Sequence, residues 1–223
     1  MFQRFVLGFV GLVAAASVSA QSGPWQEGKH YFKIDPPQAT TQTDKVEVTE
    51  VFSYGCPACF SAAPKVKEIK AKLPANAVLT YVPASWNQGE QWPLFQRAYF
   101  AAQTLGVAEK AHEDMFSAIW SNGPLAVAVN GKIKDPAPTL DDVAKFYEKY
   151  GVKAADFTGV ANSFAINTKM KKADAYIKSV QVDQTPTFVV NGKYRLTGQS
   201  AGSWDNLQAI ILQLVAQESA AAK

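Results

Sequence analysis

The feature that most constrains this chain is a pair of cysteines separated by two residues, in Cys56-Pro57-Ala58-Cys59. They are the only cysteines in the sequence, and they stand between a strand-like run and a stretch with helical spacing. A helix start supplies unpaired N–H groups and partial positive charge, which favour a thiolate. The motif therefore predicts a redox-active dithiol, with Cys56 as the reactive sulfur and Cys59, one turn into the helix, as its less accessible resolving partner.

Two other roles for the cysteine pair are weaker. A structural disulfide across so short a loop would stabilise the fold by about 2 kcal/mol in the chain-entropy description, against about 3 kcal/mol for a loop of about 15 residues. A structural zinc site needs a full set of ligands, yet there is no second cysteine pair, and His30 and His112 lie far away without a ligand spacing. Both roles stay open as alternatives, and redox exchange is the favoured interpretation.

Composition limits the size of the fold and the kinds of partner. With 48% hydrophobic and 18% charged residues over 223 positions, the chain can bury one core, or a core with a satellite subdomain. Its 22 basic and 19 acidic side chains give a net charge of +3. That charge is too small to indicate binding to nucleic acid or to an anionic membrane.

The N-terminus has the pattern of an export signal. Arg4 precedes an apolar run, and the small residues that end at Ala20 supply a cleavage point, so residues 1–20 are predicted to be removed. An uncleaved membrane anchor is the alternative, but the run is short for a span of about 20 residues and contains Gly8 and Gly11. Export places the chain in an oxidising compartment, where a single closely spaced cysteine pair indicates disulfide exchange.

A strand, a helix and a second strand are predicted around the dithiol. Residues alternate from Val46 onward, and Pro57 suits the first helical position because its missing N–H would have no partner there. The helical spacing continues to Leu73, with Pro64 expected to kink the helix, and Val78–Pro83 predicts the next strand. Residues 46–83 thus predict a βαβ unit.

Strand parity places a carboxyl group, that of Glu50, on the same side as Val48 and Phe52. A buried acid shortly before the reactive cysteine would have a raised pKa and could relay protons to Cys59 during exchange. Alternatively, Glu50 lies at an edge or partly in solvent, since parity predicts sides but not depth. The residues alone leave both possibilities open.

Residues 90–165 show helical spacing only, and we predict that they form a helical subdomain inserted into the first fold. One predicted helix ends before Gly106, a second before Asn122-Gly123, and a third begins at Thr139 and ends near Gly151. Residues 123–138, which include proline and glycine, predict a loop. The aromatic side chains of the block are expected to be core rather than a ligand platform; they include Trp92, Phe95, Tyr99 and Trp120.

The remaining chain predicts a helix, a hairpin and a final helix. Residues 162–180 form the helix, and its polar side carries a lysine cluster that is most simply a solvated face: Lys169, Lys171 and Lys172. Asn191-Gly192 between two strand-like runs is a strong hairpin signal. Pro186 at the start of the first run cannot donate a ladder hydrogen bond, so it needs a special place there. Ser203 is the expected cap of the last helix.

These residues in this order resemble the DsbA family of thioredoxin-fold thiol oxidases. The resemblance rests on the export signal, Cys-Pro-x-Cys opening a helix after a strand, the helical block, and Thr185-Pro186 before an Asn-Gly-Lys-Tyr hairpin, and it covers about Gln26 to Gln217. It implies an α/β thioredoxin fold with an inserted helical subdomain. The expected division is a signal peptide over 1–20, the first part of the thioredoxin fold over 21–89, the insertion over 90–165 and the second part over 166–223.

The resemblance also implies a role for each motif residue. Cys56 would be the exposed nucleophile that forms mixed disulfides with client proteins, and Cys59 its buried partner. Thr185-Pro186 would be the cis-proline dipeptide that faces the dithiol and offers backbone hydrogen bonds to an extended client segment. Glu50 matches the buried acid of the wider thioredoxin group, which favours the proton-relay interpretation.

The chain departs from the family pattern at Ala58. The best-known oxidases of the family have histidine there, whose charge and hydrogen bonding stabilise the thiolate, so Pro57 and Ala58 are expected to tune the pair. The helix start that remains contributes about 0.3–1 kcal/mol and at most about 2 kcal/mol, while one pKa unit corresponds to about 1.4 kcal/mol. This predicts a thiol pKa for Cys56 lowered by about one unit or slightly more, and a milder oxidant than relatives with histidine.

The expected reaction is disulfide donation to reduced, unfolded exported proteins in the periplasm. The Cys56-Cys59 disulfide carries the electrons, so neither a metal nor an organic cofactor is expected, and the family implies reoxidation by a membrane, quinone-linked partner of the DsbB type. No nucleic-acid partner is expected, and the expected state is a monomer. Two alternatives stay open: an exported reductase or isomerase that uses the reduced pair, and a non-catalytic peptide-binding chaperone with a vestigial dithiol.

Overall fold

The computed structural model describes residues 24–42, 44–121, 123–129 and 131–221. The predicted signal peptide and its cleavage point at Ala20 lie outside the described residues. The strands within them are β1 (Phe32–Lys33), β2 (Val46–Phe52), β3 (Ala77–Pro83), β4 (Ala128–Val129), β5 (Lys132–Ile133), β6 (Thr187–Val190) and β7 (Tyr194–Leu196). The helices are α1 (Pro57–Lys72), α2 (Trp92–Thr104), α3 (Ala108–Trp120), α4 (Leu140–Glu148), α5 (Ala154–Ala161), α6 (Phe164–Ser179), α7 (Gly198–Ala201) and α8 (Trp204–Ala221).

One mixed sheet of five strands has the order β1-β7-β6-β2-β3. Strands β2 and β3 are parallel, with Val46 opposite Ala77 and Phe52 opposite Pro83, and β6 runs antiparallel to β2 on its other side. Every residue of β2 is buried, because this strand has a neighbour on both sides and helices on both faces. Strands β2 and β3 with α1 confirm the predicted βαβ unit, and β3 is an edge of the sheet.

Two buried clusters form the core. One joins the sheet to the helices between β3 and β6 and includes both cysteines; the other lies between the sheet, α1 and α8. The aromatic residues predicted to be core pack into the first cluster: Trp92, Phe95 and Tyr99 are buried, and Trp120 is partly buried against them. The dithiol thus lies where the inserted helices meet the sheet.

The helical block differs from the sequence prediction in two places. Helix α5 was not predicted, because it is short, contains Gly159 and has no side-chain cap at Lys153. The loop predicted over 123–138 is wrong where β4 and β5 pair, with Ala128 opposite Ile133. The predicted cap is confirmed, since Thr139 Oγ1 accepts the backbone N–H of Asp142 at 3.3 Å. The domain bounds at 89/90 and 165/166 stay predictions.

The C-terminal part follows the predicted order closely. Asn191 and Gly192 have φ of 51° and 66° and connect β6 to β7, which confirms the hairpin. A Cβ atom on Gly192 would lie 2.0 Å from the carbonyl oxygen of Gln38, so glycine is required there. Ser203 Oγ accepts the backbone N–H of Asn206 at 3.1 Å, which confirms the cap of α8. None of the helices in the described part of the chain has the length and apolar character that crossing a membrane requires.

Candidate active site

The candidate reactive residue, Cys56, is the N-cap of α1. Cys56 has an extended backbone, with φ of −95° and ψ of 116°, and its sulfur accepts the backbone N–H of Cys59 at 3.3 Å. Pro57 occupies the first turn, where its missing N–H costs nothing. A sulfur at this point faces the unpaired N–H groups and the positive end of the helix, both of which favour a thiolate.

The pKa of the Cys56 thiol is lowered from 9.0 to about 6. The largest cause is a hydrogen bond from the Cys59 thiol; burial opposes it, and Thr185 and the backbone N–H groups of Cys59 and Ala58 then lower the pKa further. This exceeds the lowering expected from the helix start alone. That expectation left out the second thiol and the distant Thr185 as hydrogen-bond donors.

Thr185 contacts the same sulfur through its backbone. The thiol of Cys56 donates to the Thr185 carbonyl oxygen across 3.6 Å, and the Thr185-Pro186 peptide bond is cis. Within the described residues the buried Thr185 hydroxyl has no hydrogen-bond partner, so it is available to donate to a thiolate. The structure therefore brings together the two stretches that the sequence singled out.

Cys59 has the opposite character. Cys59 is fully buried, whereas Cys56 retains 5% exposure next to the exposed Pro57 and Ala58. Burial first, and then the hydrogen bond with Cys56, raise the pKa of the Cys59 thiol well above 9.0. The resemblance implied an exposed Cys56, but both cysteines are buried, and Cys56 is only the less enclosed of the two. Its thiol is the acidic one, whereas that of Cys59 stays protonated.

Glu50 lies beneath the pair with 2% exposure, so the buried alternative is the observed one. It is paired in register with Tyr81 on β3 and Phe188 on β6. Burial first, and then the negative charge on Cys56, raise its pKa to about 8. Among the salt bridges between described residues none involves Glu50, so no cation offsets its burial. Around neutral pH this carboxyl group carries a proton that it can give up.

The turn before Cys56 is held by residues that sequence reasoning did not assign to the site. The indole N–H of Trp120 donates to the Tyr54 carbonyl oxygen at 2.8 Å, and the Tyr54 hydroxyl bonds to Nδ1 of His112 at 2.9 Å. Both partners belong to α3, so the inserted helices fix the position of the reactive cysteine. The sequence predicted that Trp120 is core but gave no indication of these contacts.

Gly55 is the residue where the inserted helices approach this turn most closely. A Cβ atom there would lie 2.4 Å from the Glu90 carbonyl oxygen and 2.7 Å from Cδ1 of Trp92. We expect Gly55→Ala to lower the free energy of unfolding by about 1–3 kcal/mol, as overpacking does, and to slow exchange by displacing Cys56. Gly89→Ala is the control, because its Cβ would meet only Asn87 Oδ1 at 3.6 Å. Equal denaturation midpoints for both variants would contradict this packing argument.

Ala58 leaves room for the histidine of the family pattern, since it is exposed beside the sulfur. We expect Ala58→His to lower the pKa of Cys56 below its value of about 6 and to make the chain a stronger oxidant, because a nearby cation stabilises the thiolate. Thiolate absorbance against pH measures this. Ala71→His, exposed at the far end of α1, is the control, and an unchanged pKa in Ala58→His would refute the prediction.

In the part of the chain that the structure describes, no group of three or more histidine, cysteine, aspartate or glutamate side chains is arranged to hold a metal ion. The two thiols and the carboxyl group of Glu50 can instead exchange a disulfide and move a proton.

Comparison with known proteins identifies the family. Residues 79–211 match the model of the DSBA-like thioredoxin domain. The thiol:disulfide interchange protein DsbA of Pseudomonas aeruginosa is 31% identical over 223 residues, covering 100% of both chains, and that of Pseudomonas syringae is 33% identical over 215 residues, covering 95% of this chain and 94% of the relative.

Solved structures agree with the sequence comparison. A crystal structure of DsbA from Pseudomonas aeruginosa has a TM-score of 0.76 at 32% identity and covers 89% of this chain and 96% of that one. DsbA from Xylella fastidiosa has a TM-score of 0.76 at 33% identity, with coverage of 86% and 97%. These matches confirm the predicted thioredoxin-like α/β fold with added helices, and the chain belongs to the DsbA family of thiol:disulfide oxidoreductases.

Proposed function

We propose that this chain donates the Cys56-Cys59 disulfide to reduced exported proteins during oxidative folding. The observation that supports the proposal most directly is the contrast between the two sulfurs, with the pKa of Cys56 lowered to about 6 and that of Cys59 raised well above 9.0. A pair in which one cysteine retains some exposure and an acidic thiol, while the other is fully buried, has a defined point of attack.

The exchange takes place in two displacements. A client thiolate attacks the sulfur of Cys56, a client–Cys56 disulfide forms, and the bond to Cys59 breaks, so that Cys59 leaves with the electron pair. A second client thiolate then attacks the client sulfur of the mixed disulfide, and Cys56 leaves as a thiolate. The client loses two electrons and gains a disulfide, and the enzyme gains the two electrons as a dithiol.

Each displacement has its own proton requirement. The Cys59 thiolate has to take up a proton when it leaves, because its pKa is raised well above 9.0. We propose that the protonated carboxyl group of Glu50 supplies this proton. Cys56 needs no proton to leave, because a thiol with a pKa of about 6 is mostly ionised near neutral pH. A leaving thiol of low pKa departs faster, and stabilising the reduced form favours donation over reduction.

Client binding is assigned to a groove beside the dithiol with a cavity volume of about 360 Å³. Ala58 and Ser61 of α1 line one side, and Thr185, Pro186 and Trp204 line the other. An extended client segment that pairs with the backbone of Thr185 would place its cysteine against Cys56. The groove is shallow and largely uncharged, which suits unfolded chains of varied sequence.

The remaining assignments follow from the family. The DsbA family uses a redox-active disulfide rather than an organic cofactor, and we propose that the mature chain works as a monomer in the periplasm after cleavage near Ala20. We further propose that a quinone-linked membrane protein of the DsbB type reoxidises it. A nucleic-acid partner is not proposed.

The test is to mix the oxidised mature chain with a reduced client protein in the absence of glutathione and to follow client thiols and client disulfides. We expect an equimolar transfer, and equilibration with a glutathione redox buffer should show a more oxidising pair than glutathione itself. If the pair is instead more reducing than glutathione, so that it stays oxidised even in a buffer of mostly reduced glutathione, the result would favour the reductase or isomerase alternative. No transfer at all would favour the peptide-binding chaperone.

A further inference from the structure

A second groove runs along the free edge of the sheet. It has a cavity volume of about 670 Å³ and is lined by β3 together with residues of α1, α2, α3 and α6. Neither the dithiol nor Thr185-Pro186 lines it. The proposed exchange chemistry therefore gives this groove no role.

The backbone of β3 turns unpaired groups toward the groove. Ala84 donates to the Phe52 carbonyl oxygen at 2.7 Å and Val46 donates to that of Asn76 at 2.9 Å, so even-numbered residues of β3 bond to β2. The N–H and C=O groups of Leu79 and Tyr81 therefore point outward. Among the hydrogen bonds between described residues none engages these four groups.

The outward backbone groups at the two ends of β3 do have hydrogen-bond partners. The side-chain amide of Gln96 donates to the Pro83 carbonyl oxygen at 3.0 Å, and Ala77 donates to that of Pro74 at 2.9 Å. Sheet edges are commonly protected by a charged side chain, a bulge or an internal proline. Residues 77–82 carry none of these, and the register with β2 is uninterrupted. What remains is a short edge that lacks these three protections and faces the groove between the helices.

The two walls of the groove differ in character. Leu79 packs in the cluster with α1, and the ring of Tyr81 lies 4.5 Å from that of His112 on α3. This wall is therefore largely aromatic, and its charged residues, Lys70 and Glu109, are paired with each other. Strand alternation places Thr80 on the opposite wall, where α6 brings Lys169 and Lys172.

The lysine cluster of α6 is solvated, since Lys171 and Lys172 are exposed, and two of its members also border this groove. Lys169 and Lys172 line the groove, whereas Lys171 does not. The groups that Lys169 contacts, Gln103 Oε1 and Thr104 Oγ1, are neutral, and neither lysine forms a salt bridge among the described residues.

Two acidic residues also line the groove: Glu109, which pairs with Lys70, and Glu47, whose buried carboxylate accepts hydrogen bonds from Thr41 and Thr49. Among the charged residues that line the groove, Lys169 and Lys172 are thus the cations without a salt bridge to another described residue.

We propose that the groove along β3 binds an extended acidic segment of a client polypeptide, which adds to the sheet as a further strand. Its backbone would pair with Leu79 and Tyr81, its apolar side chains would face α3, and its carboxylates, at alternate positions, would face Lys169 and Lys172. Backbone pairing supplies affinity and the alternating side chains supply specificity. The identification of the segment as part of a client rests on the proposed function, whereas the binding chemistry is independent of it.

The probe is a fluorescein-labelled, cysteine-free peptide of alternating valine and glutamate, titrated into the mature chain carrying Cys56→Ser. With peptide at roughly nine times Kd, amide exchange at Leu79 and Tyr81, which have no hydrogen-bond partner among the described residues, is expected to slow roughly tenfold. Absence of binding, or protection that omits Leu79 and Tyr81, overturns the proposal. Equal binding of a backbone N-methylated peptide overturns it as well.

Charge is tested with a matched pair of variants on α6. Lys172→Glu is expected to weaken peptide binding roughly fivefold, and Lys171→Glu, one residue away and outside the groove, to leave it unchanged. Equal effects of the two variants, or tighter binding of a valine–lysine peptide, contradict the charge assignment. Because the titration uses a chain without the reactive sulfur, a failure of disulfide donation and a failure of groove binding give separate results.

Discussion

Replacing Cys56 with serine is expected to reduce disulfide transfer to the uncatalysed rate. The hydroxyl group cannot form the mixed disulfide, and Cys59 is fully buried, so no other sulfur can be attacked. At pH 7 a thiol with a pKa of about 6 is about nine-tenths ionised, against roughly one per cent for a thiol at 9.0. Refolding of a reduced client protein, followed by its recovery of activity, measures the loss.

Ser179→Ala is the control for this variant. Ser179 ends α6, outside the client groove, its hydroxyl donates to the Tyr176 carbonyl oxygen at 2.8 Å, and it carries no redox chemistry. We expect near-normal transfer from this variant. Full activity of Cys56→Ser would instead show that the chain assists folding by binding peptides, and the oxidase assignment would be wrong.

Replacing Glu50 with glutamine is expected to change stability and catalysis in opposite directions. The carboxyl group has a pKa of 4.5 when exposed and about 8 in the fold, because burial disfavours its charge. Its burial therefore costs about 3 kcal/mol at pH 7 by linkage, and the amide avoids that cost. Glutamine cannot donate a proton to Cys59, so transfer should slow by roughly 100-fold, the lower end of general acid catalysis.

The stability difference between Glu50→Gln and the wild type is expected to depend on pH. Below pH 4.5 the carboxyl group is protonated in both states, and the variant gains nothing from avoiding ionisation. Between pH 4.5 and about 8 the unfolded chain loses the proton while the folded chain keeps it, so the wild type loses stability as pH rises and glutamine does not. Above about 8 the difference is constant. Urea unfolding of the reduced chains at several pH values measures it.

Glu47→Gln is the control on the same strand. Glu47 is also buried, but its carboxylate accepts hydrogen bonds from Thr41 and from Thr49, the latter at 3.1 Å. Its replacement should lower the free energy of unfolding. Stabilisation by Glu50→Gln that does not vary between pH 4.5 and 8 would contradict the buried-acid account.

The part of the site that depends on local chemistry was predictable from the sequence. Pro57 after a strand fixed the helix start, the cysteine spacing placed one sulfur at the cap, and strand parity gave the side of Glu50. The hairpin at Asn191-Gly192 followed from the positive φ that its turn requires. These features depend on a few adjacent residues, which is why pattern reasoning reached them.

The features that depend on distant contacts were not predictable. Three features require knowing how distant parts of the chain pack against the turn before α1. They are the effect of Thr185 on the pKa of Cys56, the hydrogen bond from Trp120 to Tyr54, and the close packing at Gly55. The β4–β5 pair was missed although Asn130-Gly131 is the same dipeptide as the recognised hairpin. Its strands are two residues long, too short for an alternation pattern to register.

The most direct test of the whole account is to trap the client on the enzyme. Cys59→Ala removes the resolving sulfur, so a client disulfide that reacts with the mature chain should remain attached, and peptide mass spectrometry should locate the bond at Cys56 alone. We expect a stable covalent complex, from which dithiothreitol releases the client by reducing the mixed disulfide. If Cys59→Ala forms no such complex while Cys56→Ala forms one through Cys59, the assignment of the two sulfurs is contradicted.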